Sequence, residues 1–129
     1  MAETDDRPDP TAAPDLDVAA ERLREEQAEV RARLAGMTTD LESLFAASQD
    51  SNADDEHDPE GQTIAYERSQ LASLIDGAKA QLAQVEAAMA RLEAGNYGRC
   101  EVCGEPIPAG RLEARPTART CVAHAKSTS

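Results

Sequence analysis

Two hydrophobic stripes of equal length dominate the fold problem posed by this chain. Leu16, Leu23, Val30, Met37 and Leu44 recur at intervals of seven residues, joined on the same face by Ala20, Leu34 and Leu41. A second series, Leu71, Ile75, Ala78, Leu82, Val85, Met89 and Leu92, alternates spacings of four and three, with Ile64 one heptad upstream of Leu71. Such spacing lines up apolar side chains along one side of an α-helix and calls for another helix to cover them. Aromatic residues make up only 2% of the 129 residues and Trp is absent, so a wide core would lack its large fillers. The expected fold class is mainly all-α.

The segment between the stripes decides how they pair. Residues 49–61, QDSNADDEHDPEG, break the periodicity and carry Asp50, Asp54, Asp55, Glu56, Asp58 and Glu60. Asp58 suits a helix N-cap, Pro59 the first helical position, and Glu60 the positive end of the helix dipole. Asp15 is the corresponding cap for the first helix, while Gly95 and Asn96 stop the second. An antiparallel hairpin would face Leu16 with Leu92, Leu23 with Val85, Val30 with Ala78, Met37 with Leu71, and Leu44 with Ile64. These pairs are symmetric about residue 54, inside the acidic connection. The spacing therefore predicts an antiparallel coiled-coil hairpin over 15–95 with an acidic tip at 49–61, each helix spanning about 45 Å. A homodimeric coiled coil is the competing arrangement, and Gln27 and Arg68 interrupt the stripes locally.

Charge and composition narrow the function classes. A net charge of −12 disfavours capture of bare nucleic acid or an anionic membrane and favours a partner with a basic groove. Residues 1–14 combine acids with three prolines and show no apolar period, which reads as a disordered acidic N-terminal tail. No run approaches the roughly 18 apolar residues of a membrane span, and the start lacks a secretory pattern, so a cytoplasmic monomer is expected.

The C-terminal region carries the chemistry. Cys100-x-x-Cys103 is followed, after seventeen residues, by Cys121-x-x-His124. Two chelating pairs at this separation are the signature of a structural zinc site, predicted over a module at 96–126 at the base of the hairpin. Four protein ligands leave no position for water or substrate, so an enzyme is not expected. A redox dithiol is the weaker reading of the first pair. The spacing is not that of a DNA-reading Cys2His2 finger, and Arg99 stands where the zinc deaminases carry a proline. The segment from Gly104 to Thr120 holds too few apolar residues to fold by burial alone, so metal binding should drive its folding. Residues 95–129 contain five Lys or Arg and three Glu, against eight basic and twenty-two acidic residues before them. Arg99, Arg111, Arg115 and Arg119 read as a solvated face paired with Glu105 and Glu113, or as a contact surface for an acidic partner or nucleic acid.

Tyr97-Gly98 before Cys100-Glu101-x-Cys103-Gly104, and the string Arg111-Leu112-Glu113-Ala114-Arg115-Pro116-Thr117 before Cys121, resemble the DksA/TraR family of zinc-finger transcription regulators. The resemblance spans about residues 16–124 and implies a protein that binds RNA polymerase. Its hairpin would enter the secondary channel, bring the tip near the catalytic magnesium and modulate initiation without reading DNA sequence. The tip residues this implies are Asp54, Asp55, Glu56, His57, Asp58 and Glu60. The family's Asp-x-x-Asp-x-Ala pattern is matched by Asp55 and Asp58, with Glu60 in place of the alanine. His124 stands where the family has a fourth cysteine, and the chain runs five residues beyond it without the C-terminal helix of longer members. The other function compatible with these motifs is a zinc-stabilised protein-interaction or stress module that meets a different partner through its zinc end.

Overall fold

The computed structural model describes residues 13–128 apart from 51–58, with side chains over 13–49 and 61–125. Its elements are helix α1 (Leu16–Asp50), helix α2 (Pro59–Ala94), a short helix α3 (Ala109–Ala114) and a 3-10 helix (Val122–Thr128). No strand forms among the described residues, and an antiparallel bridge joins Arg99 to Pro106. α1 and α2 form the hairpin that the stripes predict.

The helix ends follow from local chemistry. Asp15 caps α1: its Oδ1 accepts from the backbone N–H groups of Asp17 at 3.0 Å and Val18 at 3.2 Å. α2 begins on Pro59, as expected of a residue whose missing N–H is no loss there. It ends in a Schellman turn, with Gly95 N–H donating to Leu92 O and Asn96 N–H to Arg91 O. Gly95 sits at φ 84°, which costs a residue without Cβ nothing. At 35 and 36 residues the helices are longer than the periodicity alone indicated, because they extend into the acidic stretch. Of the expected tip residues, Asp54, Asp55, Glu56, His57 and Asp58 lie outside the described residues. Glu60 falls in the first turn of α2.

The chain divides into two compact units. In the unit formed by Ala28–Ala83, Val30, Ile75 and Ala78 are buried, while Leu34, Met37, Leu41, Leu44, Ile64 and Leu71 are partly buried. Arg33 donates to Gln81 at 2.7 Å across the two helices, and the Arg68 guanidinium lies 4.6 Å from the Phe45 ring centroid. Arg68, an interruption of the stripe in sequence, thus makes a cation–π contact across the pair.

The other unit combines the chain up to Gln27 with Gln84–Ser129. Its core joins Ala19 and Leu23 of α1 and Val85 and Ala88 of α2 to Tyr97, Cys100, Ile107, Leu112 and Ala118. Leu23 and Val85, an expected facing pair, are both fully buried, whereas Leu16 is half exposed and contributes little to its stripe. Gln27 reaches Glu86 at 3.5 Å. This contact, and the Arg33–Gln81 and Phe45–Arg68 contacts of the other unit, have their midpoints at residue 56 or 57 instead of 54. Part of the offset follows from the lean of helical side chains toward the N-terminus, about one residue on each helix, which places both partners of an antiparallel contact C-terminal to the point where their tips meet.

Candidate metal centre

Residues 98–107 fold into a tight loop that presents the first two cysteines. Ile107 N–H donates to Gly98 O at 2.7 Å and Cys100 N–H to Glu105 O at 2.9 Å, which closes the loop about the Arg99–Pro106 bridge. Gly104 N–H turns back to Cys100 O at 2.9 Å, with Gly104 at φ 74°. A side chain at that position would strain the turn that aims both sulfurs the same way. The second pair comes from the start of the 3-10 helix, where His124 N–H donates to Cys121 O at 3.1 Å. Glu101 N–H donates to Arg119 O at 2.9 Å and ties the two ligand segments together.

Cys100, Cys103, Cys121 and His124 converge as the spacing predicts, their ligand atoms all within 4.8 Å of one another. The Cys103 and Cys121 Sγ atoms are 3.9 Å apart, and His124 Nδ1 lies 3.2 Å from Cys121 Sγ and 3.8 Å from Cys100 Sγ. Tetrahedral zinc, with Zn–S of about 2.3 Å and Zn–N of about 2.0 Å, sets neighbouring ligand atoms about 3.5–3.8 Å apart. The four side chains fit that ion. Cys100 is buried, Cys103 is exposed, and Cys121 and His124 are intermediate, so the centre opens toward solvent on the Cys103 side.

Electrostatics prepare the sulfurs unequally. Burial pushes the Cys100 thiol up, but backbone N–H groups of Cys103, Cys121 and Val102 and the Cys103 thiol outweigh it, bringing Cys100 down to about 6. Cys103 receives an N–H from Glu105, yet desolvation and the neighbouring Cys100 and Cys121 sulfurs raise it overall. Deprotonating one sulfur thus makes the next harder to ionise, a situation that a divalent cation relieves.

The module is held to the helices by groups that sequence reading did not select for this task. Within the module itself Tyr97 O–H donates to Pro116 O at 2.8 Å, and burial raises its pKa. Arg22 of α1 donates to Glu113 O at 3.1 Å, while Arg91 of α2 reaches Thr117 O at 3.4 Å. The module arginines also differ from expectation. Arg111 Nε donates to Thr120 O at 2.7 Å and Arg99 to Gly104 O at 3.4 Å, Arg119 pairs with Glu101 at 3.9 Å, and Glu113 is taken by Arg22. The Thr120 carbonyl competes well for Arg111, because Thr120 is buried and water reaches it less readily than it reaches exposed carboxylates. α3, likewise unexpected, buries Leu112 against the core. Its six residues are too few to show an amphipathic period.

Residues 95–123 match the prokaryotic dksA/traR C4-type zinc finger. The structure is similar to that of transcription factor DksA2 from Pseudomonas aeruginosa, with a TM-score of 0.74 and 27% identity over 88% of this chain and 81% of that one. The chain belongs to the DksA/TraR family. Within the family it is 51% identical, over 41 residues, to the RNA polymerase-binding transcription factor DksA of Caulobacter vibrioides, a match covering 32% of this chain and 29% of that protein. It is 30% identical over 95 residues to general stress protein 16O of Bacillus subtilis, covering 73% of this chain and 58% of that protein. The chain spans between 29% and 45% of the length of the first curated relatives it matches. The C4-type description names four cysteines; the matched residues 95–123 hold Cys100, Cys103 and Cys121, and His124 follows directly after them. Among the described residues no helix is long and apolar enough to cross a membrane.

Proposed function

We propose that this chain is a cytoplasmic transcription regulator that binds RNA polymerase as a monomer, inserts its hairpin into the secondary channel, and modulates initiation through the acids of the helical connection. One observation carries the reading: the likeness to DksA2 extends over 88% of the chain, hairpin and metal end together, and is not confined to the zinc finger. Relatives bearing the name RNA polymerase-binding transcription factor support the choice of partner. Asp55 and Asp58 are the principal contacts, with Asp54, Glu56, His57 and Glu60 beside them. Their role is electrostatic, since carboxylates at a basic channel or near a bound magnesium alter the local field without chemistry of their own.

Zinc, bound by Cys100, Cys103, Cys121 and His124, serves as a closed structural clamp with no site for substrate, and the chain has no catalytic activity of its own. The clamp fixes the loops that dock on Leu23 and Val85. The protein does not read DNA sequence, in keeping with its charge of −12. The deciding experiment is in vitro transcription with purified polymerase, comparing the native chain, a double Asp55→Ala, Asp58→Ala variant and a Cys100→Ser variant. The double variant should bind polymerase with little effect on initiation. A native chain that fails to bind core polymerase at low salt sinks the reading.

General stress protein 16O, which matches 73% of this chain, favours a second function, a stress module whose zinc end meets another partner. In that case the double tip variant keeps full activity, and substitution of Arg99 and Arg115 on the module removes it.

A further inference from the structure

We infer that His124 enters the metal centre through Nδ1, making a Cys3His site whose Nε2–H stays outside it. The inference rests on the zinc reading above and concerns a position where the chain departs from the C4 description of its family. Its geometric basis is direct: Nδ1 is the ring atom 3.2 Å from Cys121 Sγ and 3.8 Å from Cys100 Sγ.

The backbone explains why this nitrogen is used. Cys121 and His124 share a 3-10 turn closed by His124 N–H to Cys121 O at 3.1 Å. A fourth ligand on such a short turn must be reached close to its own backbone. Cysteine achieves this with Sγ, attached directly to Cβ. Of the imidazole nitrogens, Nδ1 lies nearer to Cβ and reproduces that short reach, whereas Nε2 would project a ring-width farther and push the turn away from the other sulfurs. Ligation at Nδ1 fixes the tautomer and leaves Nε2–H as a donor on a residue that is only partly buried.

The substitution also sets the charge of this end of the protein. Three thiolates and a neutral imidazole around a divalent zinc leave one negative charge, where four thiolates leave two. With five Lys or Arg against three Glu, residues 95–129 therefore stay net positive with metal bound, whereas a fourth thiolate would neutralise them. The rest of the chain, with eight basic and twenty-two acidic residues, is strongly negative.

The test uses the full chain loaded with one zinc ion. X-ray absorption should give three sulfurs at about 2.3 Å and one nitrogen at about 2.0–2.1 Å. A long-range proton–nitrogen NMR correlation, with His57 as the unligated reference, should place His124 Nδ1 at a metal-bound shift and Nε2 at that of a protonated nitrogen. His124→Cys should retain zinc in a four-sulfur shell. His124→Ala should keep three sulfurs and weaken zinc by at least about tenfold, since loss of mere supporting groups around a metal already costs that much. A metal-bound shift at Nε2, or an unshifted His124 ring beside three sulfurs and an oxygen, overturns the inference while leaving the zinc reading intact. A native chain that takes up no zinc overturns both.

Discussion

Leu23 tests whether the metal centre and the hairpin are one thermodynamic unit. Its side chain is fully buried on α1, touches no ligand through a bond, and belongs to the core that includes Val85, Tyr97, Cys100, Ile107 and Leu112. Leu23→Ala removes three carbons, about 2.4 kcal/mol at roughly 0.8 kcal/mol each, and the residual cavity raises the cost into the range of about 2–5 kcal/mol. A loss of about 3 kcal/mol is expected. If metal-free module and helices dock only weakly, zinc must then organise the loops without that core contact, and part of the loss appears in metal affinity. Transmission of half of it weakens zinc about tenfold, and full transmission more than a hundredfold. The measurement is chelator competition for zinc alongside denaturant unfolding of the zinc-loaded chain. Leu74→Ala, at a position 60% exposed, is the control and should change neither appreciably. Zinc affinity within about twofold of native, in a Leu23→Ala protein that has lost the expected stability, refutes the coupling.

Other expectations follow from the same contacts. Tyr97→Phe removes the 2.8 Å hydrogen bond to Pro116 O and should lower stability by about 1 kcal/mol in thermal or denaturant unfolding, with no change in the zinc ligand shell. In the metal-free protein the folded Cys100 thiol ionises near pH 6, below the value of about 9 for an unperturbed thiol, so this group adds stability as pH rises between the two and withdraws it as pH falls through 6. The denaturant midpoint of the metal-free chain should therefore climb across that window, and Cys100→Ser should flatten the climb. The double Asp55→Ala, Asp58→Ala variant should lose its effect on transcription while costing no more than the loss of an N-cap at Asp58, about 0.5–2 kcal/mol, read from denaturant unfolding. Gly95→Ala forces a Cβ into φ 84° and should cost about 1 kcal/mol, read from the melting of the helices.

The sequence by itself determined the two long helices, the Asp15 cap, the Pro59 start and the Gly95 stop, because each depends on residues within a few positions of one another, whereas the antiparallel pairing of the stripes, which joins residues far apart in the chain, had a homodimer as its competitor. It also singled out Cys100, Cys103, Cys121 and His124, whose metal-ligating atoms the structure brings within 4.8 Å of one another, since chelate spacing is a local property of the chain. Tertiary structure decided the rest. Arg22 meets Glu113 across 91 residues of sequence and Arg91 meets Thr117 across 26, contacts that no periodicity encodes. Arg111 turned from the neighbouring acids to Thr120 O, and α3 formed, because the ligand loops present unpaired carbonyls and a core surface to which Leu112 can dock. The choice between the two nitrogens of His124 belongs to this second group as well. A Cys-x-x-His spacing admits either atom, and only the placement of the ring beside Cys100 and Cys121 selects Nδ1.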